Sequence, residues 1–549
     1  MAATVETTAS TKTASRCTLC PAGCQLQPTA AGPDAWRVEY PAAESAGLCP
    51  RGSTLGELLG HRRRILLPGQ RVGGQLRQVG QAAAVKEIVN AAAGKGLTIL
   101  LAGNLPSEQI AAVAETCRAW PEANLSIVIE PAEQQMLLGL EASGAKYLTD
   151  AELAQCDGFV IIGDAFAANP RCSRAILDCR KTNPRTPIVV IDSASGLASK
   201  FATHRLSPPA GMELQALAAL VSAAGIETDE SSDRFDRASA ASAGAAIAGC
   251  KRLGVLLAAQ YGRSNAWQSI GRLAGRLANA RPGGVAPQTD SANTLVAVRL
   301  AAKYQTIPLA KALADTSTVR IALGCDVLGM LGLDDNDFFA AAAPLPNRTT
   351  DAARVVLPMA MACELGGTHM FAGEQACCVA PLLPGPLGVL SPAELVGELA
   401  KAAGAAVPAV PAGDSPLKRV DSADLKAAAP LAEASGLTLL LGRQTWHAGC
   451  GELTAWGSWQ AAQELPELRL SPAEAQKIGV ENLATVTVEV SSSQAGRSLQ
   501  ARVRLDPTLS PGIAVLPEAC AAARALNPSE INGQAGTVTA VPVGVSVSH

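Results

Sequence analysis

Runs of apolar residues alternate with helical patterns along the first half of the chain. The stretches 95–103, 125–130, 156–164 and 186–193 are short and largely apolar, which is typical of strands that are buried on both faces. Ten or more residues with helical patterns separate most of these stretches. The alternation predicts βαβ units and a mainly parallel sheet, in a first α/β domain over residues 76–226.

The same alternation returns after a polar segment. Residues 227–246 are polar and rich in small residues, which predicts a linker. Apolar runs follow at 252–262, 319–324 and 353–358, with helical patterns between them. The pattern predicts a second α/β domain over residues 247–405.

The C-terminal part of the chain has a different pattern. Its short apolar or alternating stretches at 437–442, 484–492, 498–506 and 512–517 are joined by Gly and Pro turns. Short strands of this kind favour a small closed barrel. We therefore predict a β-barrel domain over residues 430–549.

Charge and composition argue against some classes of protein. The chain has 549 residues, a formal net charge of −3 and a pI near 6.1, so it lacks the basic character of a nucleic-acid-binding domain. No run of about 18 apolar residues occurs without a charge or a helix breaker, and residues 1–16 contain no apolar stretch of a secretory signal. We therefore expect no nucleic-acid partner, no transmembrane segment and a cytoplasmic location.

The cysteines near the N-terminus form the most informative motif. Cys17, Cys20 and Cys24 are followed, after 24 further residues, by Cys49. Three thiolates so close in sequence can bind one face of a metal cluster, and a fourth that a loop brings back completes the ligation of [4Fe–4S]. We predict one such cluster in an N-terminal domain over residues 15–75.

Zinc is the main alternative to an iron–sulfur cluster as the metal that these thiols would bind. Structural zinc sites usually combine two Cys-x2–4-Cys pairs, whereas the second half of this motif offers only Cys49. The spacing therefore favours an iron–sulfur cluster over zinc.

A Cys-x2-Cys-x3-Cys…Cys-Pro-Arg-Gly head, two predicted α/β domains and a predicted β-barrel cover nearly the whole chain. Five stretches occur in the same order: GLCPRG (47–52), CDGFVIIGDAFAANP (156–170), ARVVLPMAMACELGGTHMFAGEQ (353–375), GRQTWHAGCGELT (442–454) and LSPAEAQKIGVEN (470–482). These stretches and the order of the parts resemble the molybdopterin oxidoreductase superfamily, which includes formate dehydrogenases and the large iron–sulfur (G) subunit of respiratory complex I.

The resemblance implies roles for further residues. Arg51 stands where the family has a Lys or Arg between the cluster and the pterin. Asn169 lies in the stretch that resembles the loop beside one half of the cofactor, and His447 matches a position near the cofactor. Both residues would bind the cofactor if pterin is retained. The implied cofactor is molybdopterin guanine dinucleotide with molybdenum or tungsten.

The chain departs from the family where the catalytic metal is bound. The resemblance places the metal ligand, a Cys, selenocysteine or Ser, on the loop after the second strand, and the matching stretch 129–150 has no Cys. Glu130 and Glu133 are oxygen ligands there only in principle. The stretch 191–199 also lacks the family's Arg, a residue suited to phosphate contacts. We therefore predict a member without the catalytic metal ligand and without molybdenum or tungsten.

Together these features predict an iron–sulfur electron-transfer subunit of a larger cytoplasmic oxidoreductase complex. The four cysteines would bind the cluster, and Arg51 would adjust its potential, because a nearby positive charge favours the more negative, reduced form. The expected partners are redox subunits that carry iron–sulfur clusters or flavin, in a hetero-oligomer. Two alternatives stay open: a catalytic molybdenum or tungsten bis-pterin oxidoreductase of the formate dehydrogenase type, and a zinc-binding, non-redox assembly protein.

Overall fold

The computed structural model of the chain describes residues 15–32, 35–41, 49–230, 232, 235–259, 266–333, 338–409, 417–420, 437–442, 465–490, 497–518, 520–526 and 541–547. His447 and the stretch 443–454 that resembles the family lie outside the described residues. Within the described ranges, no helix is both long enough and apolar enough to cross a membrane.

The described strands form four sheets and one closed barrel. Several strands of the α/β body are buried at every position, as expected for parallel strands that are covered on both faces. In chain order the strands are β1 (Ser15–Arg16), β2 (Gln25–Gly32), β3 (Ala35–Glu39), β4 (Gly69–Val72), β5 (Gln75–Gln78), β6 (Leu97–Ala102), β7 (Ala123–Val128), β8 (Gly158–Ile162), β9 (Ile188–Ile191), β10 (His204–Leu206), β11 (Leu253–Leu257), β12 (Gly283–Pro287), β13 (Val319–Leu323), β14 (Phe338–Ala343), β15 (Val355–Pro358), β16 (Gly367–Phe371), β17 (Gln375–Val379), β18 (Thr438–Gly442), β19 (Glu467–Leu470), β20 (Thr485–Val490), β21 (Ser498–Leu505), β22 (Ile513–Pro517) and β23 (Val541–Val547).

Many of the helices begin with a polar residue followed by proline. The polar side chain accepts a free backbone N–H, and proline tolerates the first helical position because that N–H has no partner within the helix. In chain order the helices are α1 (Pro50–Leu59), α2 (Gln81–Ala92), α3 (Ser107–Ala119), α4 (Pro131–Ser143), α5 (Asp150–Leu153), α6 (Ala165–Ala168), α7 (Pro170–Thr182), α8 (Glu213–Ala223), α9 (Arg237–Ala248), α10 (Trp267–Asn279), α11 (Thr294–Tyr304), α12 (Leu309–Ala314), α13 (Val327–Leu331), α14 (Arg348–Ala352), α15 (Pro392–Ala402), α16 (Pro472–Ile478) and α17 (Ala521–Leu526), with 3₁₀ turns at Ala198–Phe201, Ala362–Glu364 and Ala372–Glu374.

The N-terminal part is a small antiparallel sheet, β1-β2-β3, with α1 packed on β3. Gly56 permits this contact, because a Cβ atom there would lie 2.4 Å from the carbonyl oxygen of Trp36. Leu26, Val38 and Leu55 are buried between the sheet and the helix. The sheet and α1 together hold the segment that carries the four predicted cluster cysteines.

The largest sheet has seven strands in the order β5-β4-β15-β14-β13-β6-β7. Its central strands are parallel, and the β4–β5 hairpin adds two antiparallel strands at one edge. The hairpin lies mostly inside the range 15–75 of the predicted cluster domain. The apolar pattern of the short strands β4 and β5 does not indicate which sheet they join.

A second sheet has five parallel strands in the order β10-β9-β8-β11-β12. This confirms the prediction of an α/β body with mainly parallel sheets. Each of the two large sheets takes strands from both of the predicted ranges, 76–226 and 247–405. Apolar periodicity shows that a strand is buried, but it does not identify the strand with which it pairs.

The predicted linker over residues 227–246 also needs correction. Helix α9 covers its second half, and Ala240, Ala243 and Ile247 are buried against the α/β body. Alanine is a strong helix former, but its small side chain produces little amphipathic contrast. The apolar pattern of this segment therefore does not predict helix α9.

Two glycines bring the sheets' helices into close contact. Helix α4 follows β7 of the seven-stranded sheet, and α10 follows β11 of the five-stranded sheet. A Cβ atom on Gly139 of α4 would lie 2.0 Å from the carbonyl oxygen of Gln268, and one on Gly271 of α10 would lie 2.3 Å from that of Met136. The backbones of the two helices therefore touch, which fixes the sheets relative to each other.

The C-terminal strands close into a barrel in the order β18-β22-β19-β21-β20-β23. Its interior is filled by small and branched apolar side chains, such as Leu439, Val486 and Val503. The barrel contacts the α/β body through Arg469, which donates to the carbonyl of Ser195 at 3.1 Å, and through Arg524, which donates to that of Met330 at 2.5 Å. The Arg469 contact covers part of the loop after β9.

Candidate functional site

Three of the four cysteines lie on one tight loop between β1 and β2. The backbone N–H of Cys17 donates to the carbonyl of Cys24 at 2.8 Å and closes the loop. Gly23 has a φ of 58°, a left-handed conformation that glycine adopts without strain. Cys17, Cys20 and Cys24 are all buried, so the loop holds its three thiols inside the protein.

The fourth cysteine lies at the start of α1. Cys49 is the N-cap residue, and its Sγ atom accepts a hydrogen bond from the N–H of Gly52 at 3.4 Å. The N-terminus of a helix carries a partial positive charge. The first turn of α1 therefore directs a backbone N–H group at the Cys49 sulfur.

The other three thiols lie near enough to Cys17 to disfavour its ionisation. Burial raises the pKa of Cys17 well above its usual value, and the three other thiols raise it further. Burial also raises the pKa of Cys20 to about 12; the Arg51 guanidinium opposes this effect, and Cys49 and Cys24 add to it. Thiolates so placed need added positive charge, which a metal centre supplies.

Among the residues that the structure describes, no group of three or more His, Cys, Asp or Glu side chains is arranged to hold a metal ion. The [4Fe–4S] cluster on the four cysteines therefore stays a prediction from their spacing in the sequence, and so does the zinc alternative.

Arg51 provides a buried positive charge next to the thiols. Its guanidinium donates to the carbonyl of Leu19 at 3.1 Å and to the carbonyls of Ala167 and Ala168 at the end of α6. The carbonyls at a helix C-terminus carry partial negative charge and suit a cation. Arg51 thus connects the loop of Cys20 to the five-stranded sheet and lowers the pKa of that thiol against the effect of burial.

The start of α7 faces the same loop. Asn169 caps the helix by accepting the backbone N–H of Arg171 at 3.0 Å, and its amide donates to the Gln288 side chain at 2.8 Å. The Arg171 guanidinium donates to Sγ of Cys24 at 3.6 Å. Sequence reasoning missed Arg171 because 147 residues separate it from Cys24 and no periodic pattern records such a contact.

The β16–β17 hairpin supports the cysteine loop from another side. The Phe371 ring packs on Gly23, where a Cβ atom would lie 2.5 Å from the ring. The N–H of Ala372 donates to the carbonyl of Pro21 at 2.9 Å. His369 is buried within the same hairpin. The hairpin is therefore part of the structure that positions the thiols.

The five-stranded sheet has a topological switch point between β8 and β11, where dinucleotides bind in open α/β sheets. Asp164 lies there, directly after β8, and its carboxylate accepts the N–H groups of Ala167, Leu197 and Ala198 at 3.2, 2.6 and 3.1 Å. Burial raises the pKa of Asp164, and Asp192 nearby adds to this. The chain's own carboxylate thus occupies backbone donors that a phosphate group would need.

The seven-stranded sheet repeats this arrangement at its switch point between β6 and β13. Asp326 follows β13, and its carboxylate accepts the N–H of Gly329 at 3.2 Å and the N–H and hydroxyl of Thr349 at 3.0 and 2.9 Å. At both sheets, therefore, an aspartate satisfies the donors at the start of the next helix. The sequence showed these aspartates but not their hydrogen-bond partners.

The loop after β7, where the resemblance places the catalytic metal, borders a small pocket. Glu130 and Glu133 are buried there together with Asp290. Glu130 accepts the N–H of Glu133 at 2.9 Å, and Glu133 accepts the N–H of Asp290 at 2.9 Å. At least one carboxylate oxygen of each glutamate therefore accepts a hydrogen bond from a backbone N–H group.

Comparisons with known proteins give a structural match. No family model and no curated protein matches the sequence. Among solved structures, acetylene hydratase from Pelobacter acetylenicus is similar over 98% of this chain and 100% of that chain, with a TM-score of 0.70 and 11% sequence identity. The two chains share a fold. At this identity the likeness shows the fold alone.

Proposed function

We propose that the chain is an iron–sulfur electron-transfer subunit of a larger oxidoreductase complex, built on a body of the molybdopterin oxidoreductase type that has no functional molybdenum or tungsten site. The proposal rests on one observation: the four cysteines lie near one another, next to Arg51, Arg171 and the N-terminus of α1. These cysteines are Cys17, Cys20, Cys24 and Cys49. The partners would be redox subunits with iron–sulfur clusters or flavin.

The residues present fit a [4Fe–4S] cluster. The number of thiols matches the four irons, and burial limits access of water and oxygen. Arg51, Arg171 and the start of α1 supply positive charge to thiolates that burial alone would disfavour. A bound cluster would accept and release one electron at a time. The protein's own groups would set the energy of that electron.

The residues present do not fit pterin dinucleotides. Asp164 and Asp326 already occupy N–H groups at the two switch points. The loop after β9 is also covered, because the Ser195 hydroxyl donates to the carbonyl of Thr508 at 2.8 Å and Arg469 donates to the Ser195 carbonyl. A dinucleotide would have to displace these contacts and place its phosphates beside buried carboxylates.

A catalytic molybdenum or tungsten enzyme is the second candidate. The solved structure that shares the fold is named as an enzyme, and buried carboxylates border the pocket after β7. This candidate predicts molybdenum or tungsten with pterin in the purified protein. The third, a zinc-binding assembly protein, predicts zinc without sulfide.

Metal and sulfide analysis of anaerobically purified protein tests the proposal. We expect about four iron and four sulfide per chain without molybdenum, tungsten or zinc. Cys20→Ala and Cys49→Ala should each lose most of the iron. Cys117→Ala, which removes a buried cysteine of α3, is the matched control and should retain it. Full iron in Cys49→Ala would contradict the proposed ligand set.

A further inference from the structure

Arg171 connects a predicted cluster ligand to a carboxylate. One of its guanidinium nitrogens lies 3.6 Å from Sγ of Cys24, and another lies 3.2 Å from a carboxylate oxygen of Asp150. The two charged side chains are 31% and 29% exposed, so solvent screens them only in part. The guanidinium therefore bridges the sulfur and the carboxylate.

Both ends of this bridge are fixed by helix starts. The Asn169 side chain accepts the N–H groups of Arg171 and Cys172 at 3.0 and 3.4 Å, which holds the first turn of α7. Asp150 is the first residue of α5, where Thr149 and Glu152 form a reciprocal capping box. The orientation of the guanidinium toward the sulfur is thus supported by the backbone on both sides.

We propose that Arg171 raises the reduction potential of the cluster and that Asp150 limits this increase. The inference rests on the proposed function, since it requires a cluster on the four cysteines. Reduction adds one electron, and the cation and its N–H···S hydrogen bond stabilise the more negative state that results. The Asp150 carboxylate offsets part of the positive charge. Arg171 is a positioning residue that acts through Cys24.

A redox titration monitored by EPR tests the inference, with dithionite as reductant and ferricyanide as oxidant in the presence of mediators. Arg171→Met should move the midpoint potential to a more negative value. Asp150→Asn should move it to a more positive value, because the guanidinium then acts without its counter-charge. Arg171→Lys keeps the charge but loses the planar donor group, so its midpoint should lie between those of wild type and Arg171→Met.

Arg174→Met is the matched control, because Arg174 lies on the same helix, is 55% exposed and pairs with Asp178 instead of a thiol. Its midpoint should equal that of the wild type. If wild type shows the cluster signal but Arg171→Met and Asp150→Asn keep its midpoint, or shift it in the same direction, the inference is wrong while the proposed function stands. If Arg171→Met loses the cluster, the inference is tested by the midpoint potentials of Arg171→Lys and Asp150→Asn instead. It is wrong if neither potential shifts from that of the wild type in the expected direction. If wild type shows no cluster, the proposed function itself fails.

Discussion

His369 in the β16–β17 hairpin makes stability depend on pH. Its ring is fully buried, and among the described residues neither ring nitrogen has a hydrogen-bond partner. Burial lowers the pKa of His369 from 6.5 to about 4, and the nearby Glu108 carboxylate opposes this only in part. The ring is therefore neutral in the folded protein at neutral pH.

The sign of the effect follows from the two pKa values. Between pH 6.5 and about 4, the unfolded chain binds a proton at His369 that the folded chain does not bind. The contribution of this group to stability is therefore complete above pH 6.5 and falls as the pH falls. At about pH 5 the loss is about 2 kcal/mol, since one pKa unit corresponds to about 1.4 kcal/mol.

His369→Met removes the titrating group and keeps an apolar side chain of adaptable shape. We expect wild type to lose thermal stability between about pH 7.5 and about pH 5, and the variant to lose less by about 2 kcal/mol. Differential scanning calorimetry of both proteins across this range measures the difference. Because the hairpin holds Pro21 and Gly23, the variant should also retain iron better at the lower pH.

His204→Met is the control for the loss of a histidine as such, since His204 is only partly buried and its ring contacts the Thr203 hydroxyl. Its stability should follow that of wild type across the pH range. If His369→Met and wild type lose stability in parallel, the buried neutral state assigned to His369 is wrong.

Three further substitutions test the packing around the site. Gly23→Ala should lower the thermal midpoint and the iron content, because its Cβ would lie 2.5 Å from the Phe371 ring. Arg299→Met should cost about 3–5 kcal/mol in urea unfolding, because it leaves the buried Glu141 carboxylate without its cation. Gly271→Ala should cost about 1–3 kcal/mol in the same assay, because its Cβ would lie 2.3 Å from a carbonyl oxygen of α4.

Each of these substitutions has a matched control in the chain. Gly73→Ala has nearly the same φ as Gly23, at 59°, but nothing within 4 Å of the new Cβ, so it isolates backbone strain from the clash. Arg354→Met breaks an exposed ion pair with Glu87. Gly397→Ala adds a methyl group to α15, where the nearest contact is an ordinary 3.7 Å. Equal losses in a variant and its control would contradict the packing assigned to that site.

The sequence was most informative where the physical signal is local. The apolar runs at 97–102 and 158–162 were recognised as strands within a few residues of their observed ends, because burial on both faces leaves a continuous apolar stretch. Close spacing in sequence likewise brought Cys17, Cys20 and Cys24 to attention. Cys49 was included because a fourth thiolate completes the ligation of a [4Fe–4S] cluster.

Contacts between distant parts of the chain had no such signal. The order of strands in the two large sheets depends on pairing that periodicity does not encode. The hydrogen bond from Arg171 to Cys24 and the packing of Phe371 on Gly23 each depend on the folded arrangement of separate elements. Asp164 was visible in the sequence, but only the fold shows that it binds the N–H groups of Leu197 and Ala198.

The most direct test of the central claim is low-temperature EPR of the anaerobically purified protein, before and after reduction with dithionite. We expect no EPR signal from the oxidised protein. After reduction we expect the spectrum of one reduced [4Fe–4S] cluster per chain, with no molybdenum or tungsten signal. The cluster spectrum should be absent from Cys20→Ala and present in Cys117→Ala. A reduced wild-type protein without a cluster signal, or a full signal in Cys20→Ala, would contradict the account.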